Sequence, residues 1–167
     1  FTVFEKSKIG SGAMLFASQG KGFYFTENNE VANKYSKVDK VVNAYLKMKN
    51  AFVFTDKTNN TANKLLKEFA QQNGRDFNIG EYSDFVNFEK RTGAVLSRVV
   101  KGEGEAFSEF LREKGYDGIV YTSFNYDTNK SDKSYVVFDS NQIKSADAVT
   151  YDDNGNVIPL SERFNES

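Results

Sequence analysis

The stretch GKGFYFTENNEVANKYSK, residues 20–37, sets two glycines and an aromatic triplet directly before a segment with another tyrosine. The alternation in KGFYFT, residues 21–26, predicts a short strand. Asn28 or Asn29 is suited to cap a following helix that carries Tyr35. A strand leading into a helix N-terminus presents backbone N–H groups and the positive end of the helix dipole. The pattern is therefore compatible with core packing or with a binding cleft.

Composition removes several kinds of chemistry. The chain has 167 residues, of which 39% are hydrophobic, enough for the core of one domain. It contains no cysteine and no histidine. Disulfides, zinc sites of the usual ligands and histidine-based catalysis are thereby excluded in these residues. Any catalysis must use Asp, Glu, Tyr, Lys, Arg, Ser or Thr.

The charge is nearly balanced, with 22 basic and 23 acidic residues and a net charge of −1. Such a chain has no overall field for nucleic acid or an anionic membrane. No apolar run approaches the roughly 18 residues that a membrane span requires, and no signal-peptide pattern opens the chain. The sequence predicts a soluble protein without a membrane partner.

The first half contains mixed patterns. Residues 38–50 place apolar side chains at helical spacing, which favours a helix over the alternative, a strand. AFVF at 51–54 predicts a short buried strand. A helix is predicted to follow, capped by Asn60 or Thr61.

The next segments are predominantly helical. A helix is predicted over residues 82–88 and is expected to end by Gly93. EAFSEFLREKG, residues 105–115, has apolar residues at helical spacing, and Gly115 stands where a helix is commonly terminated.

The period then changes to that of strands. GIVYTS (118–123) and SYVVFD (134–139) predict two core strands, separated by the polar residues 124–133, which predict a mobile loop bordering the site. Asn154-Gly155 is typical of a hairpin turn. This order of elements indicates an α+β fold and not an alternating βαβ fold.

Two motifs resemble those of a known family. GFYFTENNEVANKYS is similar to the second motif of the diphtheria-toxin-type ADP-ribosyltransferases, which include the poly(ADP-ribose) polymerases. There a Gly-x-Tyr-Phe strand is followed, eleven residues after its tyrosine, by a second tyrosine on a helix, and Tyr24 and Tyr35 hold those places. SYVVFDSNQIKSA (134–146), after GYDGIVY, resembles the last motif, in particular the variants in phage and mobile-element polyvalent proteins.

The resemblance implies an ADP-ribosyltransferase-like split antiparallel β-sheet with inserted helices over residues 1–146. Residues 147–167 would then form a C-terminal hairpin and tail. In this family the first motif is a strand with His-Gly-Ser/Thr, or Arg in a related branch. Because the chain has no histidine and opens at FTVFEKSKIG, we expect that strand to precede Phe1 in a longer protein.

The implied activity is transfer of ADP-ribose from NAD⁺ to a macromolecular acceptor, expected to be a protein. Cleavage of the nicotinamide–ribose bond passes through an oxocarbenium-like state, as in glycoside cleavage. The resemblance implies that Tyr24 and Tyr35 clamp the cationic nicotinamide ring and that the Gly22 backbone holds its carboxamide. Thr26 completes the set of NAD-binding residues. No metal ligands are expected.

The catalytic position departs from the polymerases. Where they have Glu immediately before the Tyr-x-Val-aromatic strand, this chain has Ser134. Serine supplies no negative charge, so Asp132, or less favourably Asp127, is the candidate carboxylate, and Ser134 and Asp132 are the candidate catalytic residues. Gln142, close to the last strand, is interpreted as a surface amide in preference to a site residue.

Two functional hypotheses follow. One is an active, toxin-like NAD-dependent transferase domain of a phage or bacterial protein, located in the bacterial cytoplasm or in the phage particle. The other is a catalytically degenerate domain of the same fold that serves as a protein-binding or structural module of a phage particle.

Overall fold

The computed structural model describes residues 2–6, 19–26, 42–82, 87–126 and 128–145, together with Asn154. These residues form strands β1 (Thr2–Lys6), β2 (Phe23–Thr26), β3 (Val42–Leu46), β4 (Ala51–Phe54), β5 (Gly118–Asn125), β6 (Lys130–Val137) and β7 (Ile143–Ser145). The helices are α1 (Asn60–Gln72), α2 (Thr92–Val100) and α3 (Gly104–Glu113), with short 3₁₀ segments at Ile79–Tyr82, Phe88–Lys90 and Ser140–Gln142.

The described strands form one sheet in the order β4-β5-β6-β2-β1-β3-β7. β4 runs parallel to β5, and the other pairings are antiparallel. A parallel pair requires a long crossover, which residues 55–117 supply with the three helices. The predicted α+β class is confirmed, but the prediction of an antiparallel sheet is wrong at the β4–β5 pair.

A large core lies between the helices and one face of β4, β5 and β6. Phe52 and Phe54 of β4 are buried, whereas Val53 between them is 39% exposed, as expected at a sheet edge with one covered face. The Phe107 ring of α3 meets Phe52 edge-on at 5.8 Å between centroids and Phe69 of α1 at 5.0 Å. Such offset aromatic contacts stabilise the packing beyond the burial of area.

A smaller core covers the opposite face of the sheet. Phe25, Leu46 and Val137 form it, with Phe23 packed against them. The alternation of β2 therefore sends Phe23 and Phe25 to this side and leaves Tyr24 on the face of the large core.

The predicted helix over residues 38–50 is wrong where the structure describes it, because Val42–Leu46 forms β3. β3 pairs along its full length with β1 and at three residues with β7. Apolar residues at spacings of three and four fit a helix, but the valine and tyrosine side chains also suit a strand. Pairing with β1 and β7, which are distant in sequence, makes this segment a strand instead of a helix.

The helical segments follow the predictions in part. α1 has the predicted apolar stripe, but its N-cap is Asn59, whose side chain accepts from Ala62 N at 3.0 Å. Neither Asn60 nor Thr61 is therefore the cap. α3 is confirmed, and Gly115 follows it with a φ of +92°, a left-handed conformation that glycine adopts without strain.

The region before α3 differs more. Of the helix predicted over residues 82–88, residues 83–86 lie outside the described part, and the structure has short 3₁₀ segments on either side of them, at Ile79–Tyr82 and Phe88–Lys90. Gly93 does not end a helix but lies in the first turn of α2. The sequence analysis did not predict α2.

The predicted loop at residues 124–133 is also wrong. β5 extends to Asn125 and β6 begins at Lys130, and these two residues face each other as the last registered pair of a hairpin. At its end, the Phe124 and Tyr126 rings meet edge-on at 4.8 Å. Aromatic and paired backbone contacts thus replace the expected loop.

Some predictions concern residues outside the described part of the chain. These are the helix after Asn28 or Asn29 with Tyr35 and the C-terminal tail, in which only Asn154, in a turn, is described. The predicted hairpin at Asn154-Gly155 and the domain boundary at residue 146 stay predictions.

Candidate active site

The candidate residues of β2 and β6 lie on one face of the sheet. In the antiparallel register Tyr24 is opposite Val136 and Thr26 is opposite Ser134. Side chains of cross-strand partners project to the same face, with Cβ atoms about 4.5–5.5 Å apart. Asp132 precedes Ser134 by two residues on β6 and therefore shares this face. The register brings one tyrosine, two hydroxyl residues and one carboxylate to a common surface.

Ser134 lies within a strand that is paired on both sides, opposite Tyr121 of β5 and Thr26 of β2. Ser134 and Thr26 are each only 7% exposed. The Oγ atoms of Ser134 and Ser123 are 3.0 Å apart and hydrogen-bonded, and either hydroxyl can be the donor. Ser134, predicted to stand at the glutamate position, therefore carries a paired, neutral hydroxyl.

Asp132 belongs to β6 and is not part of a loop. It stands opposite Ser123 of β5 and is half-buried. The backbone of a central strand fixes its position, so no loop closure is needed to bring this carboxyl to the face that carries Ser134. The other candidate carboxylate, Asp127, lies outside the described residues.

Tyr24 contributes a neutral ring. Its side chain packs against the large core, and its hydroxyl donates a hydrogen bond to the Gly20 carbonyl. Burial, and to a smaller degree the neighbouring Tyr121 phenol, raise the pKa of Tyr24 far above its ordinary value. The phenol therefore keeps its proton at physiological pH. An uncharged aromatic ring presents an electron-rich face, which attracts a cationic ligand.

The segment before β2 is held against α3. Lys21 N donates to Gly104 O at 3.0 Å, and Ser108 Oγ donates to Lys21 O at 2.8 Å. A Cβ on Gly22 would come within 2.5 Å of the Val137 carbonyl oxygen. Gly22 is therefore required by close backbone packing on β6, whatever else its backbone does.

Comparison with known families identifies the chain. Residues 1–153 match the model of a family described as "ADP-Ribosyltransferase in polyvalent proteins". The chain belongs to this family. No significant match was found among curated proteins or among solved structures.

Membership of the polyvalent-protein ADP-ribosyltransferases confirms the resemblance inferred from the second and last motifs. In this domain the structure brings Tyr24, Thr26, Ser134 and Asp132 to one sheet face, and it places Gly22 directly before β2. Tyr35 lies outside the described residues. Its pairing with the Tyr24 ring stays a prediction.

Sequence reasoning did not single out Ser123, which the structure places beside the candidate residue Ser134. Ser123 was predicted at the end of a strand, and nothing in GIVYTS singles out its hydroxyl. Only the register of β5 against β6 brings it to Ser134. Strand alternation would have pointed to Ser123 if the two predicted strands had been extended through residues 124–133.

The interpretation of Gln142 as a surface amide is wrong, because this side chain is only 8% exposed. Its Oε1 accepts from Phe138 N at 3.0 Å and Asp139 N at 2.9 Å. Its Nε2 donates to Lys47 O at 3.0 Å and Asp117 O at 2.8 Å. Gln142 thus joins the ends of β6 and β3 to the start of β5, which is a structural role.

Within the described residues, no group of three or more acidic side chains is arranged to hold a metal ion. None of the helices described is both long and apolar enough to cross a lipid bilayer.

Proposed function

We propose that this ADP-ribosyltransferase domain cleaves NAD⁺ and transfers ADP-ribose to a macromolecular acceptor, a protein. The observation that supports this most is the register between β2 and β6, in which Tyr24 and Thr26 face Val136 and Ser134. The motif tyrosine and the position of the family's glutamate are thereby adjacent on one surface. NAD⁺ supplies the cationic nicotinamide leaving group and the ribose that becomes attached to the acceptor.

The residues present fit that substrate. The neutral Tyr24 ring offers a π face to the nicotinamide cation, an interaction of about 0.5–2 kcal/mol depending on desolvation. In this proposal Tyr35 supplies the opposing face and the Gly22 backbone holds the carboxamide. Thr26 and Ser134 offer hydroxyl groups for the ribose.

In this proposal Asp132 supplies the negative charge that Ser134 lacks. Residues two apart on a strand are separated by about 6.6–6.8 Å, a distance that a substrate ribose bridges. A carboxylate on this face favours the positive charge that develops on the ribose as nicotinamide leaves. Ser134 then binds a ribose hydroxyl, and Asp132 stabilises the transition state.

We also interpret the sheet as the split sheet of this fold. β1 and β2 share a single registered pair, Glu5 with Thr26, whereas β2 and β6 share four and β1 and β3 share five. This narrow junction divides the sheet into β4-β5-β6-β2 and β1-β3-β7. We place the transferase domain at residues 1–146, in a phage or bacterial protein that acts in the bacterial cytoplasm or phage particle.

A second function is a degenerate module of the same fold that binds a protein partner in a phage particle. The observation in its favour is Ser134 itself, because a hydroxyl paired with Ser123 cannot offset positive charge. Under this alternative the domain retains the sheet face but does not cleave NAD⁺.

Titration of the natural full-length protein with NAD⁺, followed by assay of nicotinamide release, tests the proposal. We expect saturable NAD⁺ binding and release of nicotinamide. Asp132→Asn should lower the rate by about 10²- to 10³-fold, as typically follows loss of a preorganised stabilising group, with NAD⁺ affinity retained. Asp76→Asn, at an exposed position outside the site, is the matched control.

The outcomes separate the two functions. Absence of NAD⁺ binding rejects the transferase proposal and favours the module. Binding and turnover that survive Asp132→Asn unchanged reject Asp132 as the catalytic carboxylate while leaving the transferase proposal standing.

A further inference from the structure

The hydroxyl pair Ser123–Ser134 links two adjacent strands on the face that carries the candidate site. A serine on a strand can satisfy its hydroxyl with water or with nearby backbone. Here two serines from adjacent strands instead bond to each other, with 3.0 Å between their Oγ atoms. Their backbones are already fixed by the β5–β6 ladder, so the pair adds little to the pairing of the strands.

The two serines differ in access. Ser134 is only 7% exposed, whereas Ser123 is half-buried. Ser123 is also directly opposite Asp132 in the register. Ser123 is therefore the less buried of the two serines and lies beside the proposed catalytic carboxylate.

The pair has the hydrogen-bonding capacity that a ribose hydroxyl needs. Each serine hydroxyl has one proton and two acceptor lone pairs. One proton is used within the pair, so one proton and several lone pairs remain for a ligand. Since either serine can be the internal donor, the pair can both donate to and accept from one sugar hydroxyl.

We propose that Ser123 is a second ribose-binding residue, which acts with Ser134 as one hydroxyl unit that holds the 2′-hydroxyl of the nicotinamide ribose. The proposal rests on the proposed NAD⁺-cleaving function and extends it to a residue outside both sequence motifs. The hydrogen bond between the serines selects one of the three staggered rotamers of each side chain. The unit is thereby preorganised for the sugar.

The test is a double-mutant cycle of Ser123→Ala, Ser134→Ala and the variant with both changes. For each protein the dissociation constant is measured for NAD⁺ and for an NAD⁺ analogue that lacks the 2′-hydroxyl of the nicotinamide ribose. Each single change should weaken NAD⁺ binding by about 2- to 10-fold, the typical effect of one hydrogen bond. The double variant should bind about as the weaker single variant does, because groups that act as a unit are not additive. Ser123→Thr, which retains the hydroxyl, should restore binding.

The analogue separates a binding role from a structural one. For the analogue, Ser123→Ala and the unaltered protein should have the same dissociation constant, because the analogue lacks the hydroxyl that Ser123 is proposed to bind. Ser131→Ala, an exposed serine on the other face of β6, is the matched control and should match the unaltered protein.

Three results overturn the inference. Unchanged NAD⁺ affinity in Ser123→Ala, additive losses in the double variant, or equal losses with NAD⁺ and its analogue would each exclude the hydroxyl unit, while the proposed function stands. If the unaltered protein binds no NAD⁺, the proposed function and this inference fall together, and that result is recognised before any variant is made.

Discussion

Ser134 has a neutral side chain at the position where the resemblance to the poly(ADP-ribose) polymerases predicts a glutamate. The sequence motif located this residue, and the structure confirms that it lies opposite Thr26 of the motif strand. The sequence could not show the environment of Ser134, because Ser123 reaches it only through the register of two strands. A sequence motif describes residues along one strand, whereas a site combines side chains from several strands.

Moving the negative charge along β6 tests this residue assignment. If Asp132 supplies the charge and Ser134 holds the glutamate position, then the double variant Asp132→Asn/Ser134→Glu should regain most of the nicotinamide release that Asp132→Asn loses. The expected recovery is about 10²-fold, the effect of restoring one stabilising group. Rates of nicotinamide release at saturating NAD⁺ measure it.

The control for moving the carboxylate is Asp132→Asn/Ser134→Gln, because glutamine has nearly the same shape as glutamate and no charge. It should remain as slow as Asp132→Asn alone. Equal recovery with glutamine and glutamate would attribute the gain to size, and no recovery with either would show that Ser134 is not the glutamate position.

Gln142 shows the opposite limit of sequence reasoning, because a polar residue beside a motif proved to be a structural connector. Gln142→Ala removes four hydrogen bonds that join three segments. At about 0.5–1.5 kcal/mol each, we expect the free energy of unfolding to fall by about 2–6 kcal/mol.

Urea denaturation measures this loss. Asn141→Ala, at the exposed neighbouring position, is the control and should change stability by no more than about 0.5 kcal/mol. Equal effects of the two substitutions would contradict the connecting role of Gln142.

At the scale of elements, strongly periodic segments were predictable and ambiguous ones were not. α3 has a clear apolar stripe with a terminating glycine, and its position was predicted to within a residue or two. β3 was predicted as a helix because its local pattern permits both structures. Its identity depends on β1 and β7, which lie on either side of it in the sheet.

α2 was missed because Gly93 was interpreted as a helix terminator. The structure gives another reason for this glycine. A Cβ at position 93 would lie 2.5 Å from Cδ2 of Tyr121 and 3.1 Å from the Thr122 carbonyl oxygen. Gly93 thus lets α2 approach β5 closely, a requirement that no local pattern reveals.

Gly93→Ala is a direct test of that close approach. Helix propensity alone would stabilise α2 by about 1 kcal/mol, but overpacking against Tyr121 and the Thr122 backbone costs about 1–3 kcal/mol. We expect a net loss of up to about 2 kcal/mol in the free energy of unfolding, measured by urea denaturation.

Ser97→Ala in the same helix improves helix propensity at a half-buried position and serves as the matched control. It should leave stability unchanged or slightly raised. A stabilised Gly93→Ala protein would show that α2 has room to move away from β5.

At the scale of the whole molecule, the sheet separates two cores, and the candidate site lies on the face of the larger one. Tyr24 packs against that core, and Phe25, its neighbour on β2, lies in the other core. The motif Gly-x-Tyr-Phe therefore supplies both a candidate site residue and the packing of the central strand. This double use explains why the family could be inferred from a few residues, although several elements were predicted wrongly.

Because the site is part of the central sheet, ligand binding should stabilise the whole fold. At a concentration 100-fold above its dissociation constant, a ligand adds about 2.7 kcal/mol to the free energy of unfolding. For a domain of this size that corresponds to a rise in Tm of about 5–10 °C. Thermal denaturation with increasing NAD⁺ measures it.

The charge of the nicotinamide ring makes this prediction specific to the proposed clamp. NADH has the same sugars and phosphates but an uncharged dihydronicotinamide, so it forfeits the cation–π attraction to the neutral Tyr24 ring. At equal concentrations NADH should raise Tm less than NAD⁺, and Tyr24→Leu should reduce the difference between them. If NAD⁺ and NADH raised Tm equally, the Tyr24 ring would not bind the nicotinamide cation in the site.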